Sequence, residues 1–542
     1  MGCEPAAIKS PEPDITQLRR VSAVRLLVVS TTNAANANQT AGDGAANTRD
    51  QRKVRHAKRQ ELLDAGVQAY PVEVTRTHSL AQIREKYPNL EAGEETGDIV
   101  SVAGRIVFQR NTGKLAFATL QEGGEVGDHP RLQVMLSQGR VGAEALDAYK
   151  RLADLGDHIA VTGEVIASKR GELSIMADSW TMASKALRPL PVLHADLADE
   201  TRVRQRYADL IVRQEAAEMV HKRSGVVRSI RRALEDQGYI EVETPILQLI
   251  HGGAQARPFE THLNAFDQTM TLRIATELYL KRAVVGGIDK IFEIGRVFRN
   301  EGVDSTHSPE FTMLEAYEAY SDMYGMADRI REIILSAAEA AGVGKELQTP
   351  EGNTVVLDEP WEWKEFYPAV SEAVGQQITP DTSAEDLLAI AKKHHIDVDE
   401  NLDVQQLALE LFDELVEPNI IQPTFVYHYP QAAQPLARPH REDSRMVEAW
   451  DLIINGYEIG TAFSELIDPV IQRDRLTAQS DAAAAGDEEA MQLDHDFLRA
   501  LEYGAPPTGG LGMGVDRLVM LLTGTGIRET ILFPLLKPEG DE

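Results

Sequence analysis

Residues 292–320, FEIGRVFRNEGVDSTHSPEFTMLEAYEAY, hold two alternating stretches on either side of a polar loop. In the first stretch Phe292, Ile294, Arg296 and Phe298 fall on one face of a strand, so Glu293, Gly295, Val297, Arg299 and Glu301 share the other. In the second, Phe311, Met313, Glu315, Tyr317 and Ala319 lie together, and an antiparallel return through the loop sets that face beside Arg299 and Glu301. One surface then carries a guanidinium, carboxylates and aromatic rings. Arginine suits a phosphate because its rigid fork gives two parallel charge-assisted hydrogen bonds; Phe311 offers a ring for a purine, and Glu301 an acceptor for an adenine amino group. The competing reading is a half-exposed hairpin whose charged face is merely solvated.

A second hairpin is written at 451–460, DLIINGYEIG, where Asn455-Gly456 between apolar runs is a strong two-residue turn signal. Such a turn sets Ile454 opposite Tyr457 and Ile453 opposite Glu458, so Asp451 shares a face with Glu458, and two carboxylates roughly 7–8 Å apart on a diagonal can converge on one ion. Hard oxygen donors beside phosphates suit Mg²⁺, although the pair also fits a solvated hairpin. Near the end, GGLGMGVDRLVMLL places glycines in a strand, then Val515, Leu518, Val519 and Leu522 on one helical stripe with Arg517 near the helix start.

Composition bounds the remaining choices. With 43% apolar residues the chain builds ordinary cores, while a net charge of −30 opposes nonspecific attraction to a polyanion. A nucleic acid would therefore need a local basic surface, and QRKVRHAKRQ at 51–60 supplies a candidate helix bearing Arg52, Lys53, Arg55, Lys58 and Arg59, which is equally a solvated face. Cys3 is the only cysteine, which rules out an intrachain disulfide and fits a reducing cytoplasm. No run is long enough to span a bilayer, Arg25 interrupts the nearest approach to a signal core, and Ala6 breaks the acylation pattern begun by Met1-Gly2-Cys3.

Along the chain, residues 1–50 read as a disordered tail rich in Ala, Asn, Thr and Gly, followed by a helix over 52–65. Five short alternating strands between 97 and 186, with a helical piece at 141–155, fit an OB barrel, a fold that often binds single-stranded nucleic acid. LRPLPVL at 187–193 stiffens a connection and sets a boundary near 190. Beyond it, Val227, Ile230 and Leu234 form a helical stripe closed by Gly238, and IEVETP reads as a strand stopped by Pro245. Helices and strands do not alternate regularly, so the second body is expected to be an antiparallel α+β fold, with 322–443 a mostly helical insertion and 539–542 a terminal tail.

Taken together, HGGAQARPF, TLRIATELYLKR, FRNEGVDSTHSPEFTMLEAY, FSEL and GLGMGVDR resemble the class II aminoacyl-tRNA synthetases, nearest the lysyl branch, with ASKALRPLPVL and STHSPEF similar to its actinobacterial members. The resemblance runs from about Arg52 to Pro538. It implies an OB-fold anticodon-binding domain at 51–190, where Phe117 stacks a base and Arg110, Gln133 and Glu172 read polar edges, and a class II catalytic domain at 191–538. Phe117 also sits where a core phenylalanine would. The resemblance further implies that Arg299 and Arg517 act on ATP phosphates, that Arg517 covers the adenine opposite Phe311, and that Glu301 and His307 complete the nucleotide site.

For the amino acid it implies Glu465 and the Tyr317 hydroxyl on the lysine ammonium and Glu277 with the Gly253 backbone on the α-amine. Thr461 and Phe463 line the pocket, and Asp451 and Glu458 hold Mg²⁺. The implied protein is a cytoplasmic homodimer, without membrane contact, that uses ATP and L-lysine to charge tRNA(Lys). Departures from the family pattern are Gly295 and Val297 where Asn is common, Thr276 for proline, Thr461 and Ala462 in GTAFSEL, and Gln434 and Ala437 in QPLAR. Three rivals remain: a paralogue that lysylates a protein, an aspartyl or asparaginyl enzyme, and a non-enzymatic RNA-binding module.

Overall fold

The computed structural model describes residues 41–124, 126–191, 198–304, 307–399, 401–487 and 489–537. The expected amino-terminal tail lies outside the described residues as far as residue 40, and the expected tail at 539–542 lies wholly outside them. Helix α1 already spans Ala41–Asp64, which corrects the expectation of a tail to residue 50. The helix is also not a free basic face. Arg55 is buried and donates to the Leu155 and Ala186 carbonyls at 2.9 and 3.1 Å, while Lys58 pairs with Asp154 at 2.6 Å. Both side chains clamp α1 onto the barrel, and Lys53 stays exposed.

The barrel closes in the order β1(Glu95–Thr112), β2(Leu115–Gln121), β3(Arg131–Ser137), β5(Leu173–Ser184), β4(His158–Ala167), with α2(Ala143–Leu152) between β3 and β4. Period-2 alternation decides its inside: Ala116, Ala118, Leu120, Leu132, Val134 and Leu136 are fully buried. Phe117 therefore points outward and is not a core residue.

An eight-stranded sheet organises the second body, ordered β9(Glu362–Glu365), β10(Thr424–Tyr427), β11(Ala449–Ile454), β12(Tyr457–Ser464), β13(Thr508–Gly514), β8(Glu310–Ala319), β7(Lys290–Phe298), β6(Ile240–Glu241). It is antiparallel except at the edges, where β6–β7 and β9–β10 run parallel. One face carries Phe292, Leu314, Leu452, Leu511 and Met513 against three helices: α3(Gln214–Glu235), α5(Met323–Ala340) and α9(Val515–Thr523). On α9 the expected stripe of Val515, Leu518, Val519 and Leu522 is buried, whereas on α3 Ile230 and Leu234 are buried with Val226, and Val227 is only partly buried. On the opposite face a shorter helix, α4(Glu277–Val285), contacts β8.

The expected helical insertion at 322–443 is corrected in kind. It does contain α6(Phe366–Val374), α7(Ala384–Lys393) and α8(Val404–Leu415), yet it also donates β9 and β10 to the main sheet. Moreover, α5 buries Met326, Ile330, Ile333 and Ile334 in the central core. These apolar groups are covered by α3 and by β12 and β13 of the sheet, so the segment is part of the body.

Trp450 is the largest fully buried side chain; its indole Nε1 donates to the Met323 carbonyl at 2.6 Å and its ring lies 4.7 Å from that of Phe425. Trp450→Ala is expected to destabilise this body by about 3–5 kcal/mol, and Trp450→Phe by about 1–2 kcal/mol. Guanidinium denaturation followed by circular dichroism measures both, and a loss below about 1 kcal/mol for the alanine variant would contradict the packing described.

Candidate active site

The site lies on the sheet face turned away from α3, α5 and α9. Its central strand, β13, is almost bare there. Gly510, Gly512 and Gly514 pair with Tyr317, Glu315 and Met313 of β8, and Gly510 and Gly512 pair with Phe463 and Thr461 of β12. Side chains from the two neighbours thus flank a floor of backbone. A Cβ at Gly510 would strike Glu465 Oε1 and come within 2.6 Å of Tyr317 Cε1, so the room in this groove is made by the missing methyl.

The β7–β8 register is the expected one, with Val297 opposite Phe311, Gly295 opposite Met313 and Glu293 opposite Glu315. The second hairpin also turns as expected. Asn455 and Gly456 both adopt left-handed backbone (φ 54° and 74°), Ile454 faces Tyr457 and Ile453 faces Glu458. Sequence alternation missed the bulge that follows, which sets Asp451 opposite Thr461 instead of Gly460. That single extra residue places Glu458, Thr461 and Phe463 on one face, whereas strict alternation would separate the first from the other two.

The nucleotide half is a cavity of about 420 Å³ lined by Arg299, Glu301, His307, Phe311, Glu458 and Arg517 among others. All five expected nucleotide residues therefore meet in one place. The Arg299 guanidinium lies over the Phe311 ring, 5.3 Å from its centroid. Arg517 donates to the Glu458 carbonyl at 2.9 Å, and its Nη2 lies 3.5 Å from His307 Nε2. Two residues that sequence reasoning passed over brace this half. Asp516 accepts from the Thr312 N–H at 2.6 Å and pairs with Arg223 at 2.5 Å, tying the start of α9 to β8. Asp304 accepts from His307 Nδ1 at 2.8 Å and turns the ring.

A second cavity, about 250 Å³, is lined by Gly253, Glu277, Glu315, Tyr317, Thr461, Phe463 and Glu465, and it shares Arg299, Met313 and Glu458 with the first. Every residue expected on the amino acid is present. Three of the departures noted above have local partners here. Thr276 supplies a backbone N–H to Glu315 Oε1 at 2.9 Å, a donor that proline lacks. A Cβ at Gly295 would strike the Arg273 guanidinium, which pairs with Glu293 at 2.5 Å behind the site. The Thr461 hydroxyl is turned to the Trp450 carbonyl at 3.3 Å.

Electrostatics mark this cavity as a cation site. Burial, then the nearby Glu277 carboxylate, pushes Glu315 up to about 7; burial also pushes Glu465 up to about 8 against the pull of Lys281. Lys281, which no motif singled out, is hydrogen-bonded to Glu277, and its Nζ lies 2.5 Å from Glu465 Oε2. The approach is at an angle that leaves both Glu465 oxygens without a directed hydrogen bond. Tyr317 donates its hydroxyl to Glu315 Oε2 at 3.2 Å.

Beside the shared border, burial and then Glu458 hold the Asp451 carboxyl well above the usual range. Two further acids lie near, Asp413 pushed up to about 6 and Glu417 to about 7, each first by burial and then by neighbouring carboxylates. These hard oxygens suit a divalent cation, and Arg517 Nη1 lies 3.8 Å from Glu458 Oε2 beside them. No group of three or more His, Cys, Asp or Glu side chains among the described residues holds a metal alone, so an ion here would need phosphate or water ligands too.

On the barrel, Arg110 pairs with Phe117 across β1–β2 and lies over its ring at 5.1 Å, while Gln133 pairs with Ser174 and bonds to its hydroxyl at 2.8 Å. Glu172 sits two residues before Ser174, exposed, with Arg84 3.7 Å away. One outer face thus carries all four expected residues.

Comparison with known proteins agrees with this geometry. Residues 198–537 match the family described as tRNA synthetases class II (D, K and N), and residues 100–183 match the OB-fold nucleic acid binding domain. A lysine–tRNA ligase of Kineococcus radiotolerans is 55% identical over 90% of this chain and 97% of its own length. Those of Mycolicibacterium gilvum and Mycobacterium tuberculosis H37Rv are 53% and 50% identical over 92% and 93% of this chain and 99% and 100% of their own.

The raised carboxyls make stability depend on pH. A carboxyl whose pKa rises on folding binds its proton more tightly in the folded state, so its contribution is intact below the unfolded value and is lost as pH climbs through the folded one. For Glu315 that window runs from about 4.5 to about 7. Glu315→Gln should therefore gain on the order of 2–3 kcal/mol relative to the parent chain between pH 5 and pH 8. Urea denaturation of the ligand-free protein across that range reads the difference, and a difference that does not move with pH would show Glu315 already ionised.

Proposed function

Because the chain belongs to the class II tRNA synthetases of the D, K and N group, and within it to the lysine–tRNA ligases, we propose that it joins L-lysine to tRNA(Lys) at the expense of ATP. The observation that carries this reading is the pair of cavities meeting at Arg299, one with guanidiniums and a purine-sized ring, the other with three buried acids. An aspartate or asparagine pocket would need cations or amide partners where this one has Glu277, Glu315 and Glu465. A bare RNA-binding module would leave both cavities without a purpose.

In the first step a lysine carboxylate oxygen attacks the α-phosphorus of ATP and pyrophosphate departs, leaving lysyl adenylate. In the second, a hydroxyl at the 3′ end of the tRNA attacks the adenylate carbonyl and AMP leaves. Neither step needs a nucleophile from the protein. Arg299, at the border, steadies the α-phosphate; Arg517 and His307 take the outer phosphates; Phe311 and Arg517 enclose the adenine, with Glu301 accepting from its amino group. Asp451 and Glu458 would hold Mg²⁺, which when bound neutralises charge on the phosphates.

Glu465 and Tyr317 receive the side-chain ammonium, and Glu277 with the Gly253 backbone receives the α-amine. Thr461 and Phe463 form the wall. An amino acid without a terminal cation leaves Glu465 unpaired in a dry pocket, a loss of about 1.5–3 kcal/mol. Phe117, Arg110, Gln133 and Glu172 read the anticodon. A strip of exposed apolar residues after α3, Ile240 (56% exposed), Ile246 (44%), Leu247 (44%) and Leu249 (63%), supports a homodimer. No helix among the described residues is long and apolar enough to cross a membrane, and we place the enzyme in the cytoplasm.

Arg299→Ala is expected to lower lysine-dependent ATP–pyrophosphate exchange by roughly 100–1,000-fold with an unchanged circular dichroism spectrum; undiminished exchange would refute its role. Phe117→Ala should leave exchange untouched and raise the tRNA KM by about 5–100-fold. Aminoacylation assays with purified tRNA check the second expectation, and an unaltered KM would remove Phe117 from the anticodon surface.

A further inference from the structure

Lys281 lies just behind the wall of the amino-acid cavity, in contact with two of its lining acids, and the mechanism above does not use it. It stands one turn after Glu277 on α4, and its ammonium is hydrogen-bonded to Glu277 and 2.5 Å from Glu465 Oε2. The three side chains are 6%, 7% and 2% exposed. Ordinary lysine–glutamate pairs one helical turn apart are solvated and contribute little; this one is dry and reaches a second acid from a distant strand end. Among the described residues it is the only side-chain cation in ion-pair contact with either carboxylate.

We infer that Lys281 is a positioning residue: a single buried ammonium that ties the acid receiving the substrate's α-amine to the acid receiving its side-chain ammonium, and so fixes the length of diamino acid that fits. This rests on the reading of the cavity as the lysine site. Two observations carry it. Geometrically, Lys281 takes Oε2 of Glu465 and leaves Oε1 over the bare backbone of Gly510, inside the cavity. One oxygen is anchored and the other presented. Electrically, Lys281 is the counter-charge to Glu277 and Glu465 and pulls both against the burial that raises them, so it favours the ionised carboxylates that two substrate ammonium groups need. With Lys281 removed the three buried acids repel without a counter-charge, and proton uptake or movement of a side chain replaces the fixed spacing.

The test compares Lys281→Met, near in shape but uncharged, with the parent enzyme in ATP–pyrophosphate exchange, using lysine and its one-methylene-shorter homologue ornithine. The variant is expected to raise the lysine KM by about tenfold or more, leave the ATP KM within about twofold, and lower the lysine-to-ornithine ratio of kcat/KM by about tenfold or more. Ethylammonium added to Lys281→Ala should recover part of the lost lysine affinity by refilling the vacated volume. A folded Lys281→Met enzyme with unchanged lysine KM and unchanged discrimination overturns the inference, as do equal rises in both KM values, which would mark a structural role. Should the methionine variant not fold, Lys281→Arg carries the comparison, because it retains the charge but displaces it; an unaltered lysine-to-ornithine ratio there overturns the inference as well. Failure of the parent enzyme to exchange with lysine would instead overturn the lysine reading itself.

Discussion

The catalytic body depends on the register of one nearly featureless strand. β13 presents Gly510, Gly512 and Gly514 to the site, flanked by β8 on one side and β12 on the other. A one-residue slip would turn Leu511 and Met513 out of the core and into the groove, and the glycines into the core, since side chains alternate with period two. The apolar face is held by α3, α5 and α9 through residues that are fully buried, so the slip is strongly opposed. Hydrophobic packing on one face thereby fixes, at no cost to chemistry, which backbone atoms line the other.

On that open face the fold accepts a burden in exchange for selectivity. Glu277, Glu315 and Glu465 are buried together, and isolated charges in such surroundings are expensive. The structure answers with specific partners: the Thr276 N–H and the Tyr317 hydroxyl for Glu315, and Lys281 for the other two. Behind the site, Arg273 and Glu293 neutralise each other and hold the start of the groove through the Thr244 and Arg296 carbonyls. The concentration of carboxyl groups in this cavity is the feature on which the proposed lysine reading rests.

The barrel solves a different electrostatic problem. A chain of net charge −30 must still meet a polyanion. α1 contributes less to that contact than its composition suggests, because Arg55 and Lys58 are spent on the barrel. What faces outward instead is an aromatic and polar patch around Phe117 and Arg110, suited to stacking, which needs no high charge density. The barrel also sits close against the second body. Gln121 Nε2 donates to the Ile211 carbonyl at 2.9 Å, and a Cβ at Gly127 would come within 2.6 Å of the Glu218 backbone on α3.

By itself the sequence determined whatever local periodicity encodes: the five barrel strands, the strands of both hairpins and the Asn455-Gly456 turn of the second, the stripe on α9, and the shared face of Phe311, Met313, Glu315 and Tyr317. Its motifs also named the residues that gather in the two cavities. Tertiary structure decided what depends on contacts between distant segments. The bulge beside Glu458 sits where β12 pairs with both β11 and β13, and β9 and β10 join the sheet by pairing outward from β11. Asp516 and Arg223 look like ordinary surface charges in the sequence because their partners are distant along it, and Lys281 looks like half of a solvated pair with Glu277 because Glu465 is distant. Only when the chain closes do Glu465 and Lys281, 184 positions apart, come to share one dry volume, and there a common charge becomes a specific one because water no longer screens it.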